Sequence, residues 1–83
     1  MNESTHIQID SAISDVLSEL DSAMTRYPAL HSAHEAYAVI LEELDEVWNE
    51  IRLSPAKRDA NRLRCELIQL AAMSIRAIVD LGM

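Results

Sequence analysis

The sequence of 83 residues has one cysteine, one glycine, two prolines and no phenylalanine. Because Cys65 stands alone, a disulfide framework and a cysteine-based metal site are both excluded. The scarcity of glycine and proline, together with abundant leucine, alanine, isoleucine and glutamate, favours helices over sheets. We therefore expect a single all-α domain over residues 1–83, with a small core that a partner chain could complete.

Positive charge and long apolar runs are also scarce. Seven lysines and arginines stand against 14 acidic residues, and the net charge of −7 would repel a phosphate backbone, so we expect no nucleic-acid partner. No run of about eighteen apolar residues could span a membrane. The first residues lack the basic and apolar regions of a signal peptide. These absences predict no membrane partner and a cytoplasmic location.

Three helices are predicted from hydrophobic periodicity and from local start and stop signals. A capping box from Ser32 to Glu35 is expected to start the second helix, and Ser54 with Pro55 the third. Gly82 is a natural stop after the third helix. The expected helical ranges are residues 10–26, 33–53 and 55–81, and residues 1–9 are expected to be disordered or extended.

The first predicted helix has one apolar stripe and one polar face. Glu19 lies on the polar face, which is interpreted as solvated surface. Cys65, near the apolar stripe of the third helix, is expected to be a buried small hydrophobic residue. The stripe of the first helix that is expected to pack into the core consists of Ile9, Ile13, Val16, Leu17, Leu20 and Met24.

The third predicted helix is apolar around most of its circumference. Its main stripe includes Ile68, Ala72 and Ile75, and Leu63 and Leu70 extend the apolar surface beyond that stripe. A helix of this kind is usually buried on more than one side, and a bundle of three helices cannot surround it. We therefore predict a homo-oligomer, either a dimer or a tetramer, with the third helix in the interface.

The segment from Glu42 to Glu50 is strongly acidic, with five of the 14 acidic residues of the chain. On a helix, Glu43, Glu46 and Glu50 share one strip beside the apolar face. Like charges on one strip are mildly destabilising unless a cation lies between them. A solvated face is the commoner explanation of such a run, and a metal site is the alternative.

A second polar strip on the third helix favours the metal site. Glu66 and Gln69 are three residues apart, and an antiparallel pairing of the second and third helices would bring them to Glu43 and Glu46. Helical bundles hold hard cations with oxygen ligands placed in this way, which suits Mg²⁺ and also Mn²⁺. Glu50, one turn further along, is a reserve ligand.

Two short motifs carry a family resemblance. E-E-L-D-E at residues 42–46 fits the pattern E-E-x-x-E, and E-L-I-Q at residues 66–69 stands where E-x-x-D is expected. Over roughly residues 32–82 the chain resembles the MazG-like all-α nucleoside triphosphate pyrophosphohydrolases, in particular short phage and mobile-element members. Gln69 departs from the family pattern, because it replaces an aspartate and removes one negative charge. The resemblance implies metal ligands at Glu43, Glu46, Glu66 and Gln69, with Glu43 and Glu46 in catalysis.

The resemblance also implies a reaction, the Mg²⁺-dependent hydrolysis of a nucleoside triphosphate to a monophosphate and pyrophosphate. Arg62 is a candidate ligand of a phosphate oxygen, Lys57 belongs to the same basic cluster, and Trp48 is a candidate for stacking on a base. Solvated ion pairs with the acidic helix are the commoner explanation of such a basic cluster, and a core or an interface is the commoner place for Trp48. The alternative function, motivated by Gln69, is a catalytically impaired protein that binds nucleotide or metal, or that serves oligomeric assembly.

Overall fold

A computed structural model describes all residues from Met1 to Met83, as three α-helices without a β-strand. The all-α, three-helix prediction is confirmed. The helix α3 is central, because α1 and α2 both pack against it and not against each other. No helix combines the length and the apolar character needed to cross a membrane. The helices are α1 (Glu3–Arg26), α2 (Ala33–Ile51) and α3 (Ala60–Asp80).

The first helix begins earlier than expected. The Asn2 side chain accepts a hydrogen bond of 2.8 Å from the backbone N–H of Thr5, which satisfies one of the free donors at the helix start. Residues 3–9 are therefore helical, and the expectation of a disordered or extended segment at residues 1–9 is corrected for them.

The third helix begins later than expected, at Ala60 rather than at Pro55. Its N-cap is Asp59, whose carboxylate accepts hydrogen bonds from the backbone N–H groups of Asn61 at 2.8 Å and Arg62 at 3.2 Å. An aspartate with two backbone donors is a stronger start signal than the Ser-Pro pair, so residues 55–59 remain in the connection.

Two other predicted helix boundaries are confirmed, the start of α2 at Ser32 and the stop after α3 at Gly82. The hydroxyl oxygen of Ser32 accepts a hydrogen bond of 3.0 Å from the backbone N–H of Glu35 and caps α2. Beyond α3, Gly82 has a φ of +71°, a conformation that side chains disfavour. The backbone N–H of Met83 then reaches the carbonyl of Ile78 at 3.0 Å, as in a Schellman motif.

The core is small, since 8 of the 83 residues are buried. The radius of gyration of 14.3 Å exceeds the value of about 12 Å expected for a compact chain of this length. The three helices therefore form an open layer rather than a closed bundle. The buried apolar side chains gather where α3 meets its neighbours, in one cluster of Ala23, Ala72 and Met73 and a second of Leu30, Ala36 and Ala77.

The apolar stripe of α1 is buried along one flank alone. Val16 and Leu20 are half-buried against α3, whereas Ile9, Ile13 and Leu17 are exposed. This corrects the expectation that the whole stripe packs into the core, because α1 turns a flank of the stripe toward α3. An apolar groove of about 330 Å³ remains between α1 and α3. The isolated chain thus leaves a large apolar surface uncovered.

A buried ion pair fixes the connection between α1 and α2 onto α3. The guanidinium of Arg76 donates to the carboxylate of Asp80 at 3.0 Å, and the backbone N–H of Leu30 donates to the same carboxylate at 2.9 Å. These hydrogen bonds, that of Leu30 foremost, hold the pKa of Asp80 below its usual value. The Arg76 guanidinium also donates to the backbone carbonyls of Ala23, Tyr27 and Pro28.

Candidate metal centre and adjoining cleft

The two helices α2 and α3 run antiparallel and meet along a polar seam. Near their connection, Oε1 of Glu50 lies 2.9 Å from Nε of Arg62. At the opposite end, Ala36 and Ala77 share a core cluster. The middle of the seam is occupied by a carboxylate cluster, which consists of Glu43, Glu46 and Glu66.

The carboxylate cluster brings together one oxygen atom from each of its three residues, all within 4.8 Å of one another. Helix α2 supplies Glu43 and Glu46 from successive turns, and α3 supplies Glu66. Oε2 of Glu43 and Oε2 of Glu66 are buried and have no hydrogen-bond partner. An unpaired buried carboxylate oxygen is costly, and a set made of carboxylate oxygens suits a hard divalent cation. The residues present therefore fit Mg²⁺ or Mn²⁺.

The electrostatics of the cluster favour protonation in the absence of a cation. Burial raises the pKa of Glu43 to about 7, and the negative charges of Glu46 and Glu66 add to this effect. Burial also raises the pKa of Glu66, and the negative charge of Glu46 adds to this effect. Carboxylates this close cannot all ionise without cost. A divalent cation would remove that cost and release protons as it binds.

The remaining predicted ligands take different positions. Gln69 lies one turn beyond Glu66 on α3 and lines the same cleft as Glu43, so it is near the cluster. Glu50 is instead the ion-pair partner of Arg62, and their hydrogen bond raises the pKa of Arg62. Its carboxylate thus already has a cationic partner, and the role of Glu50 as a reserve ligand stays a prediction.

A cleft of about 620 Å³ lies beside the carboxylate cluster. Residues of all three helices and of the α1–α2 connection line it. Its volume falls in the range of roughly 300–1,000 Å³ that is typical of small-molecule sites. Glu43 belongs both to the cluster and to the wall of the cleft. Across from it, α1 contributes Glu19 and α3 contributes Gln69. The cleft is also lined by Arg26, Tyr27, Glu35 and Met73.

None of the three residues predicted to bind substrate lines this cleft. Arg62 is paired with Glu50 on the seam, as the interpretation of solvated ion pairs expects. Lys57 is exposed in the α2–α3 connection, where its carbonyl accepts a hydrogen bond from Arg62. Trp48 is 58% exposed on α2, outside the cleft. The structure thus does not bring Arg62, Lys57 or Trp48 to the cleft.

Two residues differ from the sequence interpretation. Glu19 is half-buried in the cleft wall rather than fully solvated, and its charge contributes to the raised pKa of Glu43. Its position one turn before Ala23 places it at the border of the buried flank, which periodicity alone does not locate. Cys65 is exposed rather than buried. It lies on a flank of α3 that α1 covers incompletely, beside the ion pair of Arg64 with Asp15.

Comparisons of the chain with protein-family models, curated proteins and solved structures find no match. The relation to the MazG-like pyrophosphohydrolases therefore rests on the motifs at residues 42–46 and 66–69. It stays a prediction.

Proposed function

We propose that this chain is a Mg²⁺-dependent nucleoside triphosphate pyrophosphohydrolase of MazG-like type, with Mn²⁺ as an alternative cation. One observation carries the proposal. The carboxylate cluster has two buried, unpaired oxygens, on Glu43 and Glu66, and it adjoins a cleft of about 620 Å³. The two motifs that contain these residues support the same reaction.

In this proposal Glu43, Glu46 and Glu66 hold the cation, and Gln69 adds a neutral amide oxygen. Bound Mg²⁺ supplies positive charge for the phosphates and lowers the pKa of a water molecule. Glu46 is exposed, so the cluster is open to solvent. Glu43 belongs to the cluster and also lines the cleft, so its carboxylate lies beside both the proposed cation and a ligand in the cleft. Glu43 and Glu46 are therefore the proposed catalytic residues.

The acidic character of the chain does not prevent binding of a triphosphate. The cation screens the carboxylates, and the cleft wall contains a further positive charge on Arg26, which makes no ion pair. Arg76 also lines the cleft, but Asp80 and backbone carbonyls occupy its guanidinium. Arg26 is thus the cleft arginine that remains available to a bound ligand.

We further propose that the working form is a homo-oligomer, a dimer or a tetramer, with α3 in the interface. Seventeen large apolar side chains are exposed on the single chain, a surface of the kind that marks an interaction site. On α3 they include Leu67, Ile75, Ile78 and Val79. A second copy would complete the core that the open layer leaves unfinished.

The experiment for the proposed reaction is an assay of pyrophosphate release from a panel of ribo-, deoxy- and modified nucleoside triphosphates with Mg²⁺ or Mn²⁺. Glu46→Gln should lower kcat by at least roughly 100-fold, because it removes a charged ligand of the cation, whose charge stabilisation is worth several kcal/mol. The matched control is Asp45→Asn, an exposed acid on the same helix, which should keep full activity. The proposal fails if the folded wild-type protein releases pyrophosphate from no nucleotide.

A second candidate function follows from Gln69, which gives the site one negative charge less than the family pattern. The chain would then bind a metal and a nucleotide without hydrolysis, or serve assembly. Calorimetry with Mg²⁺ and a non-hydrolysable nucleotide separates these cases. Tight binding without turnover favours the binding protein, and absence of binding favours the assembly role.

A further inference from the structure

We infer that the cleft holds the nucleoside half of the substrate, with the base stacked on Tyr27. This inference rests on the proposed function, because it takes the carboxylate cluster as the end where the phosphates bind. It adds a base-binding residue that neither sequence motif contains.

The two ends of the cleft differ in chemistry. Glu43 belongs to the carboxylate cluster and lines the cleft together with Glu19 and Gln69, whereas Arg26 and Tyr27 line it from the C-terminal end of α1. Tyr27 comes eight residues after Glu19 at the end of α1, which corresponds to about 12 Å along the helix axis. A phosphate at the cluster would thus place the attached sugar over the middle of the cleft and the base near Tyr27.

The side chain of Tyr27 is available while its backbone is fixed. The residue is 59% exposed and belongs to the wall of the cleft. Its carbonyl accepts a hydrogen bond of 2.8 Å from the buried guanidinium of Arg76, and the next carbonyl, that of Pro28, accepts another. A platform that is already held in place loses little freedom when a ligand stacks on it.

The guanidinium of Arg26 lies 5.6 Å from the centre of the Tyr27 ring. Planar guanidinium groups and aromatic rings are the surfaces on which proteins stack nucleobases. The pair therefore offers a stacking site for any base. Purines should bind more tightly than pyrimidines, because their ring surface is larger.

Two other exposed aromatic residues provide a contrast. Tyr37 is 68% exposed and Trp48 is 58% exposed, yet neither lines the cleft. Exposure alone thus does not distinguish Tyr27 from the other two aromatic residues. Tyr27 is the candidate for base stacking because it lines the cleft.

The test compares Tyr27→Ala, Tyr27→Phe and the matched control Tyr37→Ala. With Mg²⁺ present, calorimetry measures Kd for a non-hydrolysable purine nucleoside triphosphate and for inorganic tripolyphosphate, which has no base. Tyr27→Ala should weaken nucleotide binding roughly tenfold, as loss of a stacking contact does. Tripolyphosphate binding should be unchanged in all variants, and Tyr27→Phe should bind the nucleotide as the wild type does.

The outcomes separate this inference from the proposed function. If the wild type releases pyrophosphate but Tyr27→Ala binds nucleotide normally, the inference is overturned and the reaction stands. If Tyr27→Ala weakens nucleotide binding without any turnover by the wild type, the inference stands and the reaction fails. Equal weakening by Tyr37→Ala, equal weakening for tripolyphosphate, or absence of nucleotide binding by the wild type would each overturn the inference.

Discussion

Glu43 on α2 and Glu66 on α3 each direct an Oε2 atom into the interior of the seam, where neither atom has a hydrogen-bond partner. Burial raises the pKa of both groups. A protein without a ligand at this point would be more stable with an apolar or a paired residue in place of either glutamate. The proposed cation would give both atoms a partner.

Divalent cations should stabilise the fold. A ligand that binds the folded state alone adds about 2.7 kcal/mol to the free energy of unfolding at 100 times its Kd. Mg²⁺ or Mn²⁺ should raise Tm of the wild type, and Glu66→Gln should abolish most of this rise. Thermal unfolding with and without metal measures the effect, with Asp45→Asn as the control. A rise of equal size in Glu66→Gln would place the cation elsewhere.

The metal-free protein should lose stability as the pH rises. The pKa of Glu43 is raised from 4.5 in the unfolded chain to about 7 in the folded protein, so between these values the folded state binds more protons. This contribution to stability is present below about pH 4.5 and is lost as the pH approaches 7.

Glu43→Gln removes this titration and should raise the free energy of unfolding at pH 8 by on the order of 1 kcal/mol, allowing for solvent screening. Urea unfolding at pH 5 and pH 8 with a chelator measures the difference. If wild type and variant show the same change between these two pH values, Glu43 does not titrate as described.

Gln69→Asp should tighten metal binding, because it returns a fourth negative charge to the neighbourhood of the cluster. Calorimetric titration with Mn²⁺ gives the affinity. Asn49→Asp is the control, since it adds the same charge at an exposed position of α2. Unfolding or weaker binding in Gln69→Asp would show that Gln69 has no part in the site.

Arg76→Ala should be strongly destabilising. The substitution leaves Asp80 with a buried charge and removes the donor to three backbone carbonyls, a loss of about 3–5 kcal/mol for a buried pair. Arg64→Ala, which breaks the half-exposed pair with Asp15, should cost less than about 1 kcal/mol. Urea unfolding compares the two variants. Similar losses in the free energy of unfolding would mean that Arg76 does not hold the α1–α2 connection onto α3.

Ile78→Glu should dissociate the proposed oligomer. Ile78 is 51% exposed on α3, so a charge there would be accommodated in a single chain and excluded from an apolar interface. Light scattering after size exclusion measures the mass of each form. Lys57→Glu, in the exposed α2–α3 connection, is the control and should keep the wild-type mass. A monomeric wild-type protein would contradict the oligomer.

The sequence predicts the seam better than it predicts the packing of α1. Helical periodicity places Glu43 and Glu46 on one strip, and a short connection makes α2 and α3 antiparallel, which together bring Glu66 to them. Periodicity does not specify how far α1 rotates about its own axis. For that reason the position of Glu19 in the cleft and the exposure of Leu17 could not be predicted.

Several residues in a stretch could each cap the start of a helix. Which of them does so depends on the backbone of the folded chain. The Ser32 cap acts as predicted, whereas Asn2 and Asp59 start their helices in preference to the stretches that the sequence favoured. The role of Arg76 depends on three carbonyls that lie about fifty residues earlier in the chain. Contacts of this kind arise from tertiary packing, which no local pattern contains.

The most direct measurement is the anomalous diffraction of Mn²⁺ in crystals of the protein. A Mn²⁺ ion should appear between α2 and α3, bound to carboxylate oxygens of Glu43, Glu46 and Glu66. Ordered side chains of these three residues without Mn²⁺ between them, in crystals soaked with the metal at neutral pH or above, would contradict the metal centre.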